Sequence, residues 1–213
     1  MITLSAFRDV PPFARGLVRD IRVRWALEEA GRPYRENLLA FGDLGGAYRA
    51  LQPFGQVPAI ELDDGVLFES GAIVLHIAES CEALLPREPH PRARAQTWMF
   101  CALNTLEPQV QQLAEIDLFN ATEAWAIARR PTVQGKVEMR LDVLETRLKD
   151  RAYLEDRFTA GDLLMTTVLR ILRHTDLVSR RPSLAAYQAR CEARPAFQKA
   201  LTDHLKPFAD AAA

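Results

Sequence analysis

A proline inside an apolar run restricts the structures open to residues 54–70, whose sequence is FGQVPAIELDDGVLFES. Apolar residues predict two short strands, at 57–62 and 66–68, and the Asp64-Gly65 pair between them is typical of a hairpin turn. Proline has no amide hydrogen, so Pro58 belongs at a sheet edge, a strand start or a bend. A cis Val57–Pro58 bond would turn the backbone amide and carbonyl of Val57 outward, towards an extended peptide.

The hairpin is followed directly by the predicted start of a helix. Glu69 and Ser70 precede apolar residues at helical spacing, which predict a helix over 70–78. A serine hydroxyl and the first amides of a helix together suit a carboxylate. Taken singly, Pro58 could only shape a turn and Ser70 could only cap a helix. Because both flank one hairpin, they predict a site for a short peptide with a free carboxylate.

The first 80 residues predict a small α/β domain with a mixed sheet. The elements follow the order β-α-β-(α)-β-β-α, in which the bracketed helix is irregular. Before the hairpin, these elements are a strand at 2–6, a helix at 22–31 ended by Gly31, a strand at 36–39 and the irregular segment at 41–51.

The remaining chain predicts helices throughout. Proline and charged residues at 87–91 indicate a linker, so we expect one domain over 1–80, a linker over 81–91 and an all-α domain over 92–213. Helices are predicted at 92–113, 133–148 and 162–174, with Pro108 bending or ending the first and further breaks at Pro182, Pro195 and Pro207. Thr159 and Asp162 have the spacing of a capping box at the start of the third.

Charge and composition exclude several classes of function. The net charge of −1 and the isoelectric point near 6.4 provide no general attraction for nucleic acid or for an anionic membrane. No apolar run reaches the length of a membrane span, and the start of the chain lacks the pattern of a secretory signal. Cys81, Cys101 and Cys191 are far apart and lack metal-ligand spacing. We therefore expect a cytoplasmic protein that binds small ligands or protein partners, and no metal.

Four stretches of the chain resemble one protein family. The run PFGQVPAIELDDGVLFESGAIVLHIAE is similar to the glutathione-binding half of the glutathione S-transferases, and FTAGDLLM is similar to the capping box of their helical domain. RVRWALEEAG resembles their first helix, and RPSLAAYQARCEARPAFQKAL resembles their last helices. The resemblance covers essentially the whole chain. It implies a thioredoxin-like N-terminal domain, an all-α C-terminal domain, a homodimer, and glutathione as co-substrate with a small hydrophobic electrophile.

The resemblance also implies roles for residues around the hairpin. The backbone of Val57, presented by a cis Pro58, would pair with the cysteinyl part of glutathione. Gln56 would lie near the glycine end, and Glu69 with Ser70 would hold the γ-glutamyl end. These implied roles agree with the carboxylate chemistry expected of Ser70 and a helix start.

The group that activates the thiol departs from the family pattern. Members use a tyrosine, serine or cysteine near the end of the first strand or the start of the first helix, but no serine, threonine, tyrosine or cysteine occurs between Ser5 and Tyr34. The position of the usual serine falls near Leu17. We expect Arg15 or Arg19, with backbone amides, to stabilise the thiolate; the alternative is that both are surface arginines. The missing cysteine argues against dithiol exchange.

The second substrate is expected in a pocket between the domains. Phe7, Pro12 and Phe13 would line one side, and Asn104 and Thr105 the other. The predicted activity is transfer of the glutathione thiolate to an electrophile. Glutathione-dependent peroxide reduction or isomerisation is an alternative, and so is a non-catalytic protein that binds glutathione or a protein partner.

Overall fold

The computed structural model describes residues 1–210, and a four-stranded sheet organises the first part of the chain. The strands are β1 (Ile2–Phe7), β2 (Tyr34–Leu39), β3 (Ala59–Leu62) and β4 (Gly65–Phe68). Their order across the sheet is β2-β1-β3-β4, with β1 parallel to β2 and antiparallel to β3, and with β3 antiparallel to β4. The predicted mixed sheet is therefore confirmed.

The first helix, α1 (Asp20–Glu29), is more deeply buried than its sequence predicts. The apolar spacing predicts a single inward face, yet every residue from Asp20 to Leu27 is buried, including Arg22 and Arg24. The reason is that α1 packs against β1, against α2 (Ser70–Glu79) and against the last helix of the chain. Charged side chains on α1 therefore have to find partners inside the protein.

Two short segments differ from their predicted form. The irregular segment after β2 consists of two 3₁₀ helices, Phe41–Leu44 and Gly46–Ala50. The strand predicted from residue 57 begins only at Ala59, because Pro58 has no amide hydrogen for the sheet ladder.

The chain divides by contacts into two compact units. The first contains Met1–Leu85 and the stretch from Arg194 onward, and the second contains Pro86–Ala193. In the first unit, α8 (Pro195–Asp210) packs on α1 with the rings of Trp25 and Phe197 4.8 Å apart. By contacts, therefore, α8 belongs to the same unit as the sheet. The sequence analysis assigns the same residues to the helical domain. The predicted boundaries at residues 80 and 92 stay a prediction.

The second unit consists of α3 (Pro89–Phe100), α4 (Glu107–Phe119), α5 (Ala124–Leu148), α6 (Ala160–Leu169) and α7 (Pro182–Glu192). The single helix predicted over 92–113 is two helices, joined by a π-type segment at Cys101–Leu106, and Pro108 lies in the first turn of α4.

Pro207 lies within α8 and does not break it. Within residues 1–210, no helix is both long and apolar enough to cross a membrane.

The predicted capping box at the start of α6 is confirmed. The hydroxyl of Thr159 accepts a hydrogen bond from the Gly161 amide at 3.2 Å, and Asp162 Oδ2 accepts one from the Thr159 amide at 2.8 Å. Every residue of α6 is buried, so this helix is the centre of the second unit. The predicted helix end at residue 174 is less regular, since Arg170–His174 form a 3₁₀ helix.

Candidate active site

Strand register brings the predicted glutathione-binding segments to one edge of the sheet. Leu4 lies opposite Ile60, and Ala59 lies opposite Phe68. Because both pairings are antiparallel, the chain before β3, the chain after β4 and the chain after β1 all meet at this edge. Residues 56–58, residues 69–70 and the loop at 8–19 are therefore neighbours within the first unit.

The Val57–Pro58 peptide bond is cis, as the resemblance implies. Among residues 1–210, neither the amide nor the carbonyl of Val57 makes a backbone hydrogen bond. This backbone can therefore pair with an extended ligand.

The segment before Val57 is fixed by two side chains that the sequence does not single out. Tyr48 Oη donates to the carbonyl of Gln56 at 2.8 Å. The buried Gln52 accepts from the amides of Phe54 and Gln56 through Oε1, at 2.7 and 3.3 Å. Both contacts join residues close in sequence, but a polar residue in an irregular segment gives no pattern that would predict them.

Glu69 has a backbone conformation that is unusual for a residue with a side chain. Its φ is +67° and its ψ is 113°, whereas most non-glycine residues avoid positive φ. Such strain persists where the surrounding structure imposes it, often at a binding site. Here Glu69 connects β4 to α2, which begins at Ser70. The conformation of Glu69 therefore sets the position of Ser70.

Ser70 is buried and accepts a hydrogen bond at Oγ from Nη1 of Arg22, at 3.2 Å. The side chain of Arg22 comes from α1, and the residue is only 2% exposed. Arg22 was not among the predicted site residues. Its spacing of four residues from the apolar Ala26 places both on one helix face, and this is the signal that could have identified it.

The two predicted thiolate-stabilising arginines lie in the loop between β1 and α1. Arg15 follows the 3₁₀ turn Pro12–Ala14, and its guanidinium is 3.2 Å from Asp9 Oδ1 and 5.7 Å from the centre of the Phe208 ring. Arg19 directly precedes the first residue of α1. The loop thus places both arginines just before the start of α1, and their role in stabilising a thiolate stays a prediction.

A buried chain of hydrogen bonds holds the same loop. The Gly16 amide donates to His204 Nε2 at 3.2 Å, and His204 Nδ1 is 3.0 Å from Asp20 Oδ2. Arg24 donates through Nε to Asp20 Oδ2 at 2.7 Å and through Nη1 to Glu36. Burial opposes ionisation of Asp20, yet His204 and Arg24 together hold the pKa of its carboxyl below the ordinary value.

Residues predicted for the second substrate lie in both units. In the first unit, the rings of Phe7 and Phe41 are 4.5 Å apart, and Phe13 is exposed. A cavity of about 360 Å³ beside them is lined by residues 8–12 with Arg15, Ala40 and Phe41, and so includes Pro12. In the second unit, Asn104 and Thr105 are exposed in the π-type segment. Their joint role stays a prediction.

Within residues 1–210, no cysteine lies in the segments that meet at this sheet edge. Cys81, Cys101 and Cys191 are free cysteines, and burial raises the pKa of the Cys101 thiol. Among residues 1–210, no group of His, Cys, Asp and Glu side chains is arranged to hold a metal ion.

Comparison with known proteins identifies the family. Models described as the N-terminal and C-terminal domains of glutathione S-transferase match residues 14–79 and 128–195. A glutathione S-transferase from Hyoscyamus muticus is 38% identical over 164 residues, which cover 71% of this chain and 76% of that protein. A maleylacetoacetate isomerase from Rhizobium meliloti (strain 1021) is 29% identical over 196 residues, covering 87% of this chain and 92% of that protein.

Solved structures agree with these sequence matches. The structure of a glutathione transferase from Burkholderia graminis, with two glutathione molecules bound per subunit, has a TM-score of 0.81 and 26% identity. The match covers 94% of this chain and 87% of that one. The predicted fold class, a mixed-sheet domain followed by a helical domain, is confirmed. The chain belongs to the glutathione S-transferase family.

Proposed function

We propose that the protein binds glutathione at the edge of its sheet and transfers the thiolate to a small hydrophobic electrophile. The observation that carries this proposal is the meeting of the Val57 backbone with Ser70 and Arg22 at one edge. Extended backbone pairing suits the cysteinyl part of a peptide, and the polar group suits its γ-glutamyl carboxylate. Gln56, next to Val57, would then face the glycine end.

Arg22 makes the hydroxyl of Ser70 a better donor to a carboxylate. Because Nη1 of Arg22 occupies an acceptor position on Oγ, the hydroxyl hydrogen is left to point at the ligand. The first amides of α2 point the same way, since α2 begins at Ser70. The strained Glu69 fixes this geometry before the ligand arrives, which lowers the entropy lost on binding.

The thiolate is proposed to be stabilised by Arg15 or Arg19 with amides at the start of α1. The amides of Gly16 and Leu17 already donate, to His204 and to the Ala14 carbonyl at 2.9 Å. The amides of Ile21 and Arg22 donate as well, to the carbonyls of Val18 and Arg19, so the amide of Val18 is the one proposed to serve the thiolate. Lowering the pKa of a thiol from about 8.5 to near 7 requires roughly 2 kcal/mol of preference for the thiolate.

A second candidate activity is a glutathione-dependent isomerisation at the same site. It is favoured by the likeness to the maleylacetoacetate isomerase over 87% of this chain. Both activities start from the bound thiolate, so they differ in whether the added glutathione stays on the product. Analysis of the products by mass spectrometry distinguishes a conjugate from an isomer of unchanged mass.

A homodimer and a cytoplasmic location belong to the same proposal. Phe54 is 66% exposed, and its ring lies 6.4 Å from that of Phe68, which gives the first unit an exposed aromatic pair suited to cover by a second copy. Sedimentation of the parent protein and of a Phe54→Ser variant would test the dimer. The free cysteines are consistent with a reducing compartment.

The first test is titration with glutathione by calorimetry between about pH 5.5 and 8.5, a range that brackets thiol ionisation on the enzyme. Release of close to one proton near neutral pH, with thiolate absorbance in the ultraviolet, is the expected result. Binding without proton release would identify a non-catalytic glutathione-binding protein.

The second test concerns the arginines. The Arg15→Ala, Arg19→Ala double variant should bind glutathione yet lose the thiolate absorbance at neutral pH. Arg35→Ala, which removes an exposed arginine from β2, is the matched control. Full activity of the double variant would refute the assigned role.

A further inference from the structure

His204 joins two segments of the first unit that are remote in sequence. It lies on α8 and is 1% exposed, and its two ring nitrogens have different partners. Nε2 is 3.2 Å from the Gly16 amide nitrogen, and Nδ1 is 3.0 Å from Asp20 Oδ2. The ring is also held edge-on against Phe208, with centroids 5.2 Å apart.

The partners determine which ring nitrogen carries the hydrogen. A backbone amide can only donate, so Nε2 must be the acceptor of the Gly16 bond. The carboxylate of Asp20 can only accept, so Nδ1 donates to it. Arg24 Nε donates to the same oxygen of Asp20 at 2.7 Å. It therefore holds in place the carboxylate that Nδ1 of His204 contacts. The His204 ring thus has one defined orientation, with Nδ1 facing Asp20 and Nε2 facing Gly16.

Gly16 is the point at which this network reaches the proposed thiol site. Its φ of +80° is favourable for glycine, and it stands between Arg15 and the residues that begin α1. The bond to Gly16 is buried, so loss of the acceptor would remove a buried hydrogen bond that joins the loop to α8. The position of the loop therefore depends on Nε2 of His204.

We propose that His204 is a positioning residue for thiol activation. It does not touch glutathione in this proposal; it holds the Gly16 amide, and so places Arg15, Arg19 and the first amides of α1 around the thiol. The inference rests on the proposed function. It assigns a role in the reaction to a helix that follows every predicted site residue in the chain.

Two substitutions separate the two contacts of the ring. In His204→Gln the side-chain oxygen can reach the place of Nε2 and accept from Gly16, while the contact with Asp20 is lost. In His204→Asn the shorter amide can donate to Asp20 from the place of Nδ1 but ends short of Gly16. Each variant keeps one buried hydrogen bond, so a general loss of stability should affect both alike.

The expected results differ for the two variants. His204→Gln should keep the thiolate absorbance of bound glutathione and a kcat within about 3-fold of the parent. His204→Asn should lose the thiolate absorbance and reduce kcat by roughly 10- to 100-fold, as removal of one buried partner allows. The KM for glutathione should change less than about 3-fold in both, because the Ser70 site is untouched. Hydrogen exchange at Gly16 should be slow in the parent and in His204→Gln, and fast in His204→Asn.

Equal kcat, thiolate absorbance and Gly16 exchange in the two folded variants would overturn the inference. So would a loss confined to His204→Gln, because that result would make the Asp20 contact the important one. A parent protein that binds glutathione without forming thiolate would instead overturn the proposed function, and with it the positioning role. The parent measurement therefore distinguishes the two failures.

Discussion

Arg22 and Ser70 are joined by a buried hydrogen bond of 3.2 Å, from the guanidinium to the hydroxyl oxygen. One residue comes from α1 and the other begins α2, so the bond ties two helices together at the edge where the predicted ligand segments meet. A buried guanidinium needs acceptors inside the protein, and the Ser70 hydroxyl oxygen is one of them. In the proposed function, the pair offers a ligand carboxylate both a hydroxyl donor and nearby positive charge.

Ser70→Ala should weaken glutathione binding about 10-fold, because one hydrogen bond to a charged group is lost. Arg22→Met should weaken it by a similar or larger factor, since it removes both the charge and the constraint on the hydroxyl. Ser80→Ala, at the other end of α2, is the control, because the Ser80 hydroxyl donates only to the Ile77 carbonyl within the described chain. Calorimetry measures all three. Unchanged affinity in Ser70→Ala would place the carboxylate elsewhere.

Glu69→Gly should unfold at higher urea concentration than Glu69→Ala. The positive φ of 67° costs little for glycine, whereas alanine keeps the strain of a side chain, so we expect about 1 kcal/mol between the two free energies of unfolding. Both variants lack the glutamate, so their difference isolates the backbone conformation. Equal stability would mean that the strain is absent in solution.

Much of the edge proposed to bind glutathione could be predicted from local sequence. The Asp64-Gly65 turn, the proline before β3 and the serine at the start of α2 each act through neighbouring residues, and the observed strands follow them. The capping box of Thr159 and Asp162 is local in the same sense. Backbone stereochemistry within a few residues determines these features, so pattern analysis can find them.

The remaining features depend on contacts that no local pattern encodes. Gly16 and His204 are 188 residues apart, and neither lies in a motif that points to the other. The burial of α1 on all sides follows from the packing of α8 on it, which the sequence order does not show. The π-type segment at Cys101–Leu106 is a change of helix winding within a continuous apolar pattern. Tertiary packing decides each of these.

Gly161→Ala should destabilise the protein by about 1 to 3 kcal/mol. An added Cβ at Gly161 would lie 2.6 Å from Trp98 Cβ and 3.1 Å from the Ala95 carbonyl oxygen, so α3 and α6 would have to separate. Gly135→Ala is the matched control within α5, because a Cβ there meets nothing within 4 Å. Alanine should stabilise that helix by roughly 0.5 to 1 kcal/mol. Urea unfolding of both variants tests the contrast, and equal effects would contradict the close approach.

Asp162 is a carboxyl group whose ionisation is opposed by its surroundings. Burial raises its pKa from 3.8 to about 6, against the lowering effect of hydrogen bonds from the Leu154 and Thr159 amides and from Tyr187. The folded state therefore holds this proton more tightly than the unfolded state does. The contribution of the proton to stability is fully present below about pH 4 and is lost as the pH rises through about 6.

Asp162→Asn should reveal this titration as a difference in stability. The free energy of unfolding of the parent, relative to the variant, should fall by about 3 kcal/mol between roughly pH 4 and 6.5 and then stay level. Other carboxyl groups titrate equally in both proteins and cancel in the difference. Asp156→Asn, which changes a fully exposed side chain, should show no such fall. A parent that gains stability over Asp162→Asn as the pH rises would mean that the four donors around Asp162 lower its pKa and outweigh the cost of burial.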